Sequence, residues 1–115
     1  MSETIYSTVP NLKEVEQESK DSLVSFLRNN PGRFYTARKL AVECGFPKTQ
    51  TYPELRRAIK ELVAEGHSIV STIKGFVFVD KTTESGRNML RVNIIHFEQR
   101  IKGMQRSIND LRAML

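Results

Sequence analysis

The sequence is poor in the residues from which disulfides, metal sites and membrane spans are built. One cysteine, Cys44, stands among 115 residues, which excludes an internal disulfide and a zinc site made of several cysteines. The two histidines, His67 and His96, have no second ligand at metal spacing, so we expect neither a metal nor a cofactor. No apolar run approaches the roughly 18 residues of a membrane span, and the polar, acidic N-terminus lacks the features of a signal peptide. We therefore expect a cytoplasmic protein with no membrane partner.

Signatures of catalysis are missing as well. The sequence has no phosphate-binding loop, no nucleophile elbow and no paired acids at catalytic spacing. We therefore expect a binding protein and not an enzyme.

Positive charge, in contrast, is abundant. Lysine and arginine number 18 against 13 acidic residues, which gives a net charge of +5 and a pI near 9.6. Residues 33–74 carry eight basic and four acidic side chains, so +4 of the net charge lies on this segment. This balance favours an anionic partner, nucleic acid first and acidic protein or anionic membrane next. With 39% apolar and 27% charged residues, the chain suits one compact domain with an arm or an oligomerisation helix.

Helix-start and helix-stop signals mark two helices after a flexible arm over residues 1–10. Asn11 and Glu14 have the spacing of a capping box, and Asn-Asn-Pro-Gly at residues 29–32 ends the first helix. Thr36 is a good N-cap for the second helix, which ends at Gly45. The predicted buried stripes are Leu12, Val15, Leu23, Phe26 and Leu27 in the first helix and Ala37, Leu40 and Ala41 in the second.

A third helix and a hairpin complete a predicted domain over residues 11–80. In Thr-Tyr-Pro-Glu, residues 51–54, Thr51 and Glu54 form a second capping box and Pro53 occupies the first turn. β-Branched and aromatic runs over residues 69–73 and 76–79, around Lys74-Gly75, predict a β-hairpin. The predicted fold class is therefore mainly α with a small β-hairpin (α+β). The buried stripe of the third helix is Leu55, Ala58, Ile59 and Leu62, and its stop is Gly66.

A heptad repeat predicts a long C-terminal helix within residues 83–115, with Thr82 or Thr83 as its cap. Isoleucine at heptad position a and Leu or Met at position d favour a two-stranded parallel coiled coil. The charges that flank the seam do not exclude an antiparallel pair of helices. We expect a homodimer, with packing inside one chain or on another protein as the alternatives. Val92 and Ile95 predict that the first half of the helix also packs partly on its own domain. The apolar seam consists of Leu90, Ile94, Phe97, Ile101, Met104, Ile108, Leu111 and Leu115.

Four strings of the sequence carry a resemblance to a known family. TARKLA at 36–41, LRRAIKEL at 55–62, EGHSIVS at 65–71 and KGF at 74–76 resemble the winged helix-turn-helix domains of bacterial and phage transcription regulators. The nearest type is the N-terminal domain of the biotin operon repressor, and the match covers roughly residues 22–80. The resemblance implies three helices, a two-stranded wing and operator binding by the residues after the turn. It implies no effector and no ligase activity, because only the predicted C-terminal heptad helix follows the wing.

The second helix of a helix-turn-helix enters the major groove of DNA. We therefore expect a sequence-specific, dimeric regulator of transcription that binds double-stranded DNA, of a size compatible with a phage origin. The alternative is a winged-helix module of a protein assembly, which docks a partner through its C-terminal helix. An ordinary solvated helix face would also account for the basic residues. The predicted DNA contacts are Arg33, Arg38, Arg57, Lys60 and Lys74 to phosphates, Thr49, Gln50, Tyr52 and Arg56 to bases, and Lys48 with the helix starts Thr36 and Thr51 beside them.

Overall fold

A computed structural model describes the backbone of residues 12–115 and the side chains from residue 16 onward. Its elements are the helices α1 (Leu12–Arg28), α2 (Ala37–Cys44) and α3 (Pro53–Ala64), the strands β1 (Ile69–Thr72) and β2 (Gly75–Phe78), and the helix α4 (Glu84–Ala113). The fold is mainly α with one antiparallel hairpin, so the predicted fold class and the predicted order of elements are confirmed. The predicted arm, the Asn11–Glu14 cap and the side chains of Leu12 and Val15 lie outside the residues so described.

One apolar core joins α1, α2, α3 and one face of the hairpin. Leu23 and Leu27 of α1, Leu40 of α2 and Leu55 of α3 are fully buried, which confirms the predicted stripes of α2 and α3. Removing the side chain of such a leucine costs about 2–5 kcal/mol, so this core fixes how the helices sit against the hairpin. The core is completed by Ala41, Cys44, Phe46, Ala58, Ile59, Leu62, Ile69 and Phe76.

The C-terminal end of α1 and both ends of α2 lie where the sequence predicts them. The Thr36 hydroxyl accepts the backbone N–H of Lys39 at 3.2 Å, as an N-cap does. Gly45 adopts the left-handed conformation at φ 79° and donates its N–H to the Ala41 carbonyl. Helix α1 ends at Arg28, directly before the Asn-Asn-Pro-Gly stop.

The predicted start of α3 is wrong by one residue. Tyr52, not Thr51, is the N-cap, at φ 53° and ψ 53°, and it makes no side-chain capping hydrogen bond in the described structure. The helical conformation is disfavoured for a residue that precedes proline. Pro53 therefore prevents Tyr52 from being the first residue of α3, and Thr51 cannot be its N-cap. The Tyr52 ring packs instead at the margin of the core, and this packing holds its backbone in the left-handed region. The predicted Thr51–Glu54 capping box does not form.

The hairpin is confirmed, with its strands shifted relative to the prediction. Val70 pairs with Val77 and Thr72 with Gly75, so Ile73 and Lys74 form the turn and Gly75 belongs to β2. Tyr35 and Phe76 each donate their backbone N–H to the other's carbonyl at 2.8 Å and so form an isolated β-bridge. A Cβ on Gly75 would overlap the Tyr35 carbonyl, which explains why glycine stands there.

Helix α4 contacts the body only through its first turns. Thr83 is its N-cap, as predicted, and Met89 and Leu90 pack on Val70, Val77 and Val79 of the hairpin region. The first half of α4 thus packs partly on its own domain, as predicted, but the contact is made by Met89 and Leu90, because Val92 and Ile95 are 51% and 50% exposed. A four-residue strand spans only about 13 Å, the rise of about nine helical residues, so most of the 30-residue helix has no strand to lie against.

Candidate nucleic-acid interface

A groove of about 690 Å³ lies between α3, β1 with its turn, and α4, and we call it the basic groove. Its apolar floor includes Ile59, Ile69 and Phe76, which belong to the core. Arg56 and Lys60 line it from α3. The other lining residues are Val63 of α3, Ser71, Thr72 and Ile73 of the hairpin, and Asn93, His96, Phe97 and Arg100 of α4.

Helix periodicity places these side chains on the faces that meet at the basic groove. Arg56 and Lys60 are four residues apart and therefore neighbours on one face of α3. Asn93, His96 and Arg100 likewise share one face of α4. The Asn93 amide donates to the Ser71 carbonyl at 2.9 Å and so ties this face of α4 to β1.

The charge of the basic groove is uncompensated. Arg56, Lys60 and Arg100 line it together with His96, and among the described residues no aspartate or glutamate does. None of the three permanent cations forms a salt bridge within the described part of the chain. Concentrated charge of one sign beside a low-dielectric wall attracts anions more strongly than the same charge spread over a surface.

Two of these cations are held in place by neighbouring groups. The Arg56 Nε donates to the Thr51 carbonyl at 2.7 Å, and its guanidinium lies 5.8 Å from the centre of the Phe76 ring. The Arg100 guanidinium lies 5.3 Å from the centre of the Phe97 ring. Arginine carries five N–H donors, so both side chains keep donors for a phosphate or a base while losing little freedom on binding.

The other predicted DNA contacts are spread over the surface near the hairpin and before α3. Lys74, at the turn, lies 5.8 Å from the Phe34 ring centre, and Arg33 lies 5.7 Å from that of Tyr35. The hydroxyl of Thr36 is engaged as an N-cap. Arg38, Thr49, Gln50 and Thr51 are exposed, and Tyr52 is partly buried.

Two predicted contacts lie on a different side of α3. Arg57 and Lys48 line a second cavity between α1, α2 and α3, where Arg57 is 3.4 Å from the Glu16 carboxylate. Of the predicted set, the structure thus brings Arg56 and Lys60 into the basic groove and turns Arg57 away from it. Both arginines belong to one basic run in the sequence, but adjacent helical residues point about 100° apart.

Sequence reasoning missed Asn93, His96 and Arg100 as candidate contacts. Their spacing of three and four marks one helical face, which is a signal in the sequence. The sequence does not say which face of α4 meets the hairpin, because the apolar face of Leu90 and the other seam residues could equally pack there. The hydrogen bond of Asn93 to β1 decides it.

The predicted seam is exposed along α4 beyond its first turns. Leu90 is partly buried on the hairpin, whereas Ile94 is 55%, Ile101 64% and Leu111 63% exposed. Phe97, Met104, Ile108 and Leu115 are exposed as well. A continuous apolar stripe of this length is unusual on a free helix surface and is typical of a helix that meets a partner.

Comparison with known proteins identifies no relative. No protein-family model matches the chain, and no curated protein and no solved structure is significantly similar to it. Within residues 12–115, no helix combines the length and the apolar character needed to cross a membrane. The same part of the chain contains no group of three or more His, Cys, Asp or Glu side chains placed to share a metal ion.

Proposed function

We propose that the chain is a winged helix-turn-helix protein that binds double-stranded DNA as a dimer and regulates transcription. The observation that carries the proposal is the basic groove, with three permanent cations and no lining carboxylate among the described residues. Helix α3 is then the recognition helix and the hairpin is the wing, with Lys74 at its tip. Arg56, for which the sequence predicts a base contact, shares the basic groove with Lys60 and Arg100 and in this proposal neutralises phosphates together with them. Gln50, in the link before α3, reads base edges.

Dimerisation through α4 fits this role. Residues 94–113 extend over about 30 Å of helix, long enough for nearly three heptads of paired seam. Two copies of the basic groove then face two half-sites that are related by symmetry and lie about one helical turn of DNA, or a multiple of it, apart. The same exposed seam favours a second candidate, an assembly module that docks the helix of another protein. A chain that is dimeric alone at micromolar concentration has no free seam and excludes this second candidate.

The test of DNA binding is fluorescence anisotropy of a labelled random-sequence duplex, titrated with the full chain at 50 and 200 mM salt. Three groove cations per chain give six in a dimer, and six phosphate contacts predict that affinity falls by about 10³-fold between these salt concentrations. No binding at the lower salt concentration would refute the proposal.

A matched pair of variants tests whether the basic groove is the binding surface. Arg100 lines the groove, whereas Arg106 is an exposed arginine of the same helix outside it. Each phosphate that is no longer neutralised reduces the slope of log affinity against log salt by about 0.9. Because a dimer carries Arg100 twice, Arg100→Gln is expected to reduce the slope by about 1.8, and Arg106→Gln to leave it unchanged. Equal reductions in both variants would mean that diffuse charge along α4 binds DNA and that the groove does not.

A further inference from the structure

The basic groove lies on one flank of the apolar seam of α4. Residues directly before each a position form what we call the g flank: Asn93, Arg100, Ser107 and Met114. Residues directly after each d position form the e flank: Arg91, Glu98, Gln105 and Arg112. Asn93 and Arg100 line the basic groove, and Asn93 is also bonded to β1, so the hairpin lies on the side of the g flank. The e flank is exposed along its whole length and contributes no residue to the groove.

Parallel and antiparallel pairs of α4 place the two basic grooves differently. A parallel pair has its two-fold axis along the coil, so the g flank of one helix lies beside the e flank of the other. The two grooves then lie on opposite sides of the coil. In an antiparallel pair the axis is perpendicular to the coil, so both g flanks lie on one side and both e flanks on the other. Both grooves then lie on the same side, where one duplex can contact both.

The charges of the e flank favour the antiparallel pair. Charged residues at e and g set the orientation of helices in a coiled coil. Glu98 and Arg112 are exposed, and neither forms a salt bridge within the described part of the chain. In a parallel pair Glu98 meets Asn93 of the partner subunit, and Arg112 meets Ser107 of the partner subunit, so neither charge is matched.

One antiparallel register matches both charges. When Met104 packs beside Ile108 of the partner subunit, Glu98 lies beside Arg112 of the partner subunit, and the two-fold axis repeats this ion pair. A shift of one heptad towards the hairpins would instead place Arg91 beside Arg112 of the partner subunit, a pair of like charges.

We infer that two copies of the chain pair through α4 in this antiparallel register, with Glu98 of each copy against Arg112 of the other. The inference rests on the proposed function and names the arrangement of its dimer. The paired stretch begins near Phe97, so Leu90 stays packed on the hairpin. The two-fold axis passes near residue 106, so His96 lies about 30 Å along the coil from its copy. This separation is close to one helical turn of DNA, which is the spacing of two adjacent half-sites.

The first experiment measures distances between spin labels in the dimer of the full chain by pulsed electron paramagnetic resonance. Val92→Cys and Arg106→Cys are labelled separately in a Cys44→Ala background, since both positions are exposed and lie on the outer face of α4. In the antiparallel dimer the two labels at position 92 are separated by about 42 Å along the coil, whereas those at position 106 lie at the same level. A parallel dimer has no separation along the coil at either position.

The second experiment exchanges the charges and needs no label. Glu98→Arg and Arg112→Glu each replace two ion pairs of the dimer by two repulsions, so each variant alone should dimerise about tenfold more weakly in sedimentation equilibrium. An equimolar mixture of the two variants should recover the lost affinity, because both contacts of the mixed dimer are again ion pairs. Arg106→Glu is the matched control, since it makes the same charge change on the outer face and should not recover affinity when mixed with Glu98→Arg.

Equal label distances at positions 92 and 106 would overturn the inference, as would a mixture of Glu98→Arg and Arg112→Glu that dimerises no better than either variant alone. An unsubstituted chain that is monomeric at about 100 µM would overturn it together with the proposed dimer. The distances are measured without DNA. Long distances at position 92 combined with a failure to bind DNA would therefore support the antiparallel dimer and refute the proposed function alone.

Discussion

Two glycines of α4 are expected to respond in opposite directions to the same substitution, Gly→Ala. Gly86 lies in the first turn and is the buried residue of this helix, and a Cβ built on it would overlap the backbone carbonyl of Asp80. Gly103 lies further along, and a Cβ there would meet no described atom within 4 Å. Both positions are helical, so alanine contributes the same propensity gain of about 1 kcal/mol at each.

The magnitudes follow from these surroundings. At Gly103 the propensity gain is unopposed, so Gly103→Ala should stabilise the chain by about 1 kcal/mol and raise the melting temperature by about 4 °C. At Gly86 the new methyl group meets a carbonyl that cannot rotate away, and overpacking of this kind costs about 3 kcal/mol. The net effect of Gly86→Ala is a destabilisation of about 2 kcal/mol, or a forced shift of α4 away from the hairpin.

Thermal unfolding followed by circular dichroism at 222 nm, at one fixed protein concentration, measures both effects. DNA affinity gives a second readout, because a shifted α4 removes His96 and Arg100 from the basic groove and lowers the salt slope of Gly86→Ala alone. A Gly86→Ala variant that melts at or above the temperature of the unsubstituted chain would refute the close approach of α4 to Asp80.

Three further predictions concern base reading, the seam and the buried thiol. Gln50→Ala should reduce the binding free energy by about 1–3 kcal/mol for a duplex selected for tight binding and only slightly for a scrambled duplex. Lys60→Ala should weaken binding to both duplexes alike. Equal effects of the two variants on both duplexes would contradict these roles. Ile101→Glu places a charge in the seam and should yield a monomer by sedimentation equilibrium, so an unchanged dimer mass would exclude this seam as the interface. Burial, with a contribution from the Glu43 carboxylate, raises the pKa of Cys44 from its ordinary 9.0 to about 11. The unfolded thiol therefore ionises first, and the free energy of unfolding should fall by about 2 kcal/mol between pH 9 and pH 11. The urea midpoint should decline over this range, and Cys44→Ala should reduce the decline.

Features that depend on neighbouring residues could be predicted from the sequence. Thr36 and Gly45 bound α2 because a side-chain cap and a left-handed glycine act within one helical turn. The start of α3 could not be predicted in this way. The local pattern favours Thr51, but the conformation of Tyr52 depends on Pro53 after it and on the core against which its ring packs.

The sequence by itself determined the order of the elements, the buried stripes of α2 and α3 and the continuous seam of α4, because periodicity along one element needs no knowledge of any other. Only the tertiary structure decided which charged residues share a site. Arg56 and Arg57 are adjacent in the sequence yet line different cavities, and Arg100 joins Lys60 across 40 positions. The rotation and separation of helices are set by core packing and by contacts such as that of Asn93 with β1.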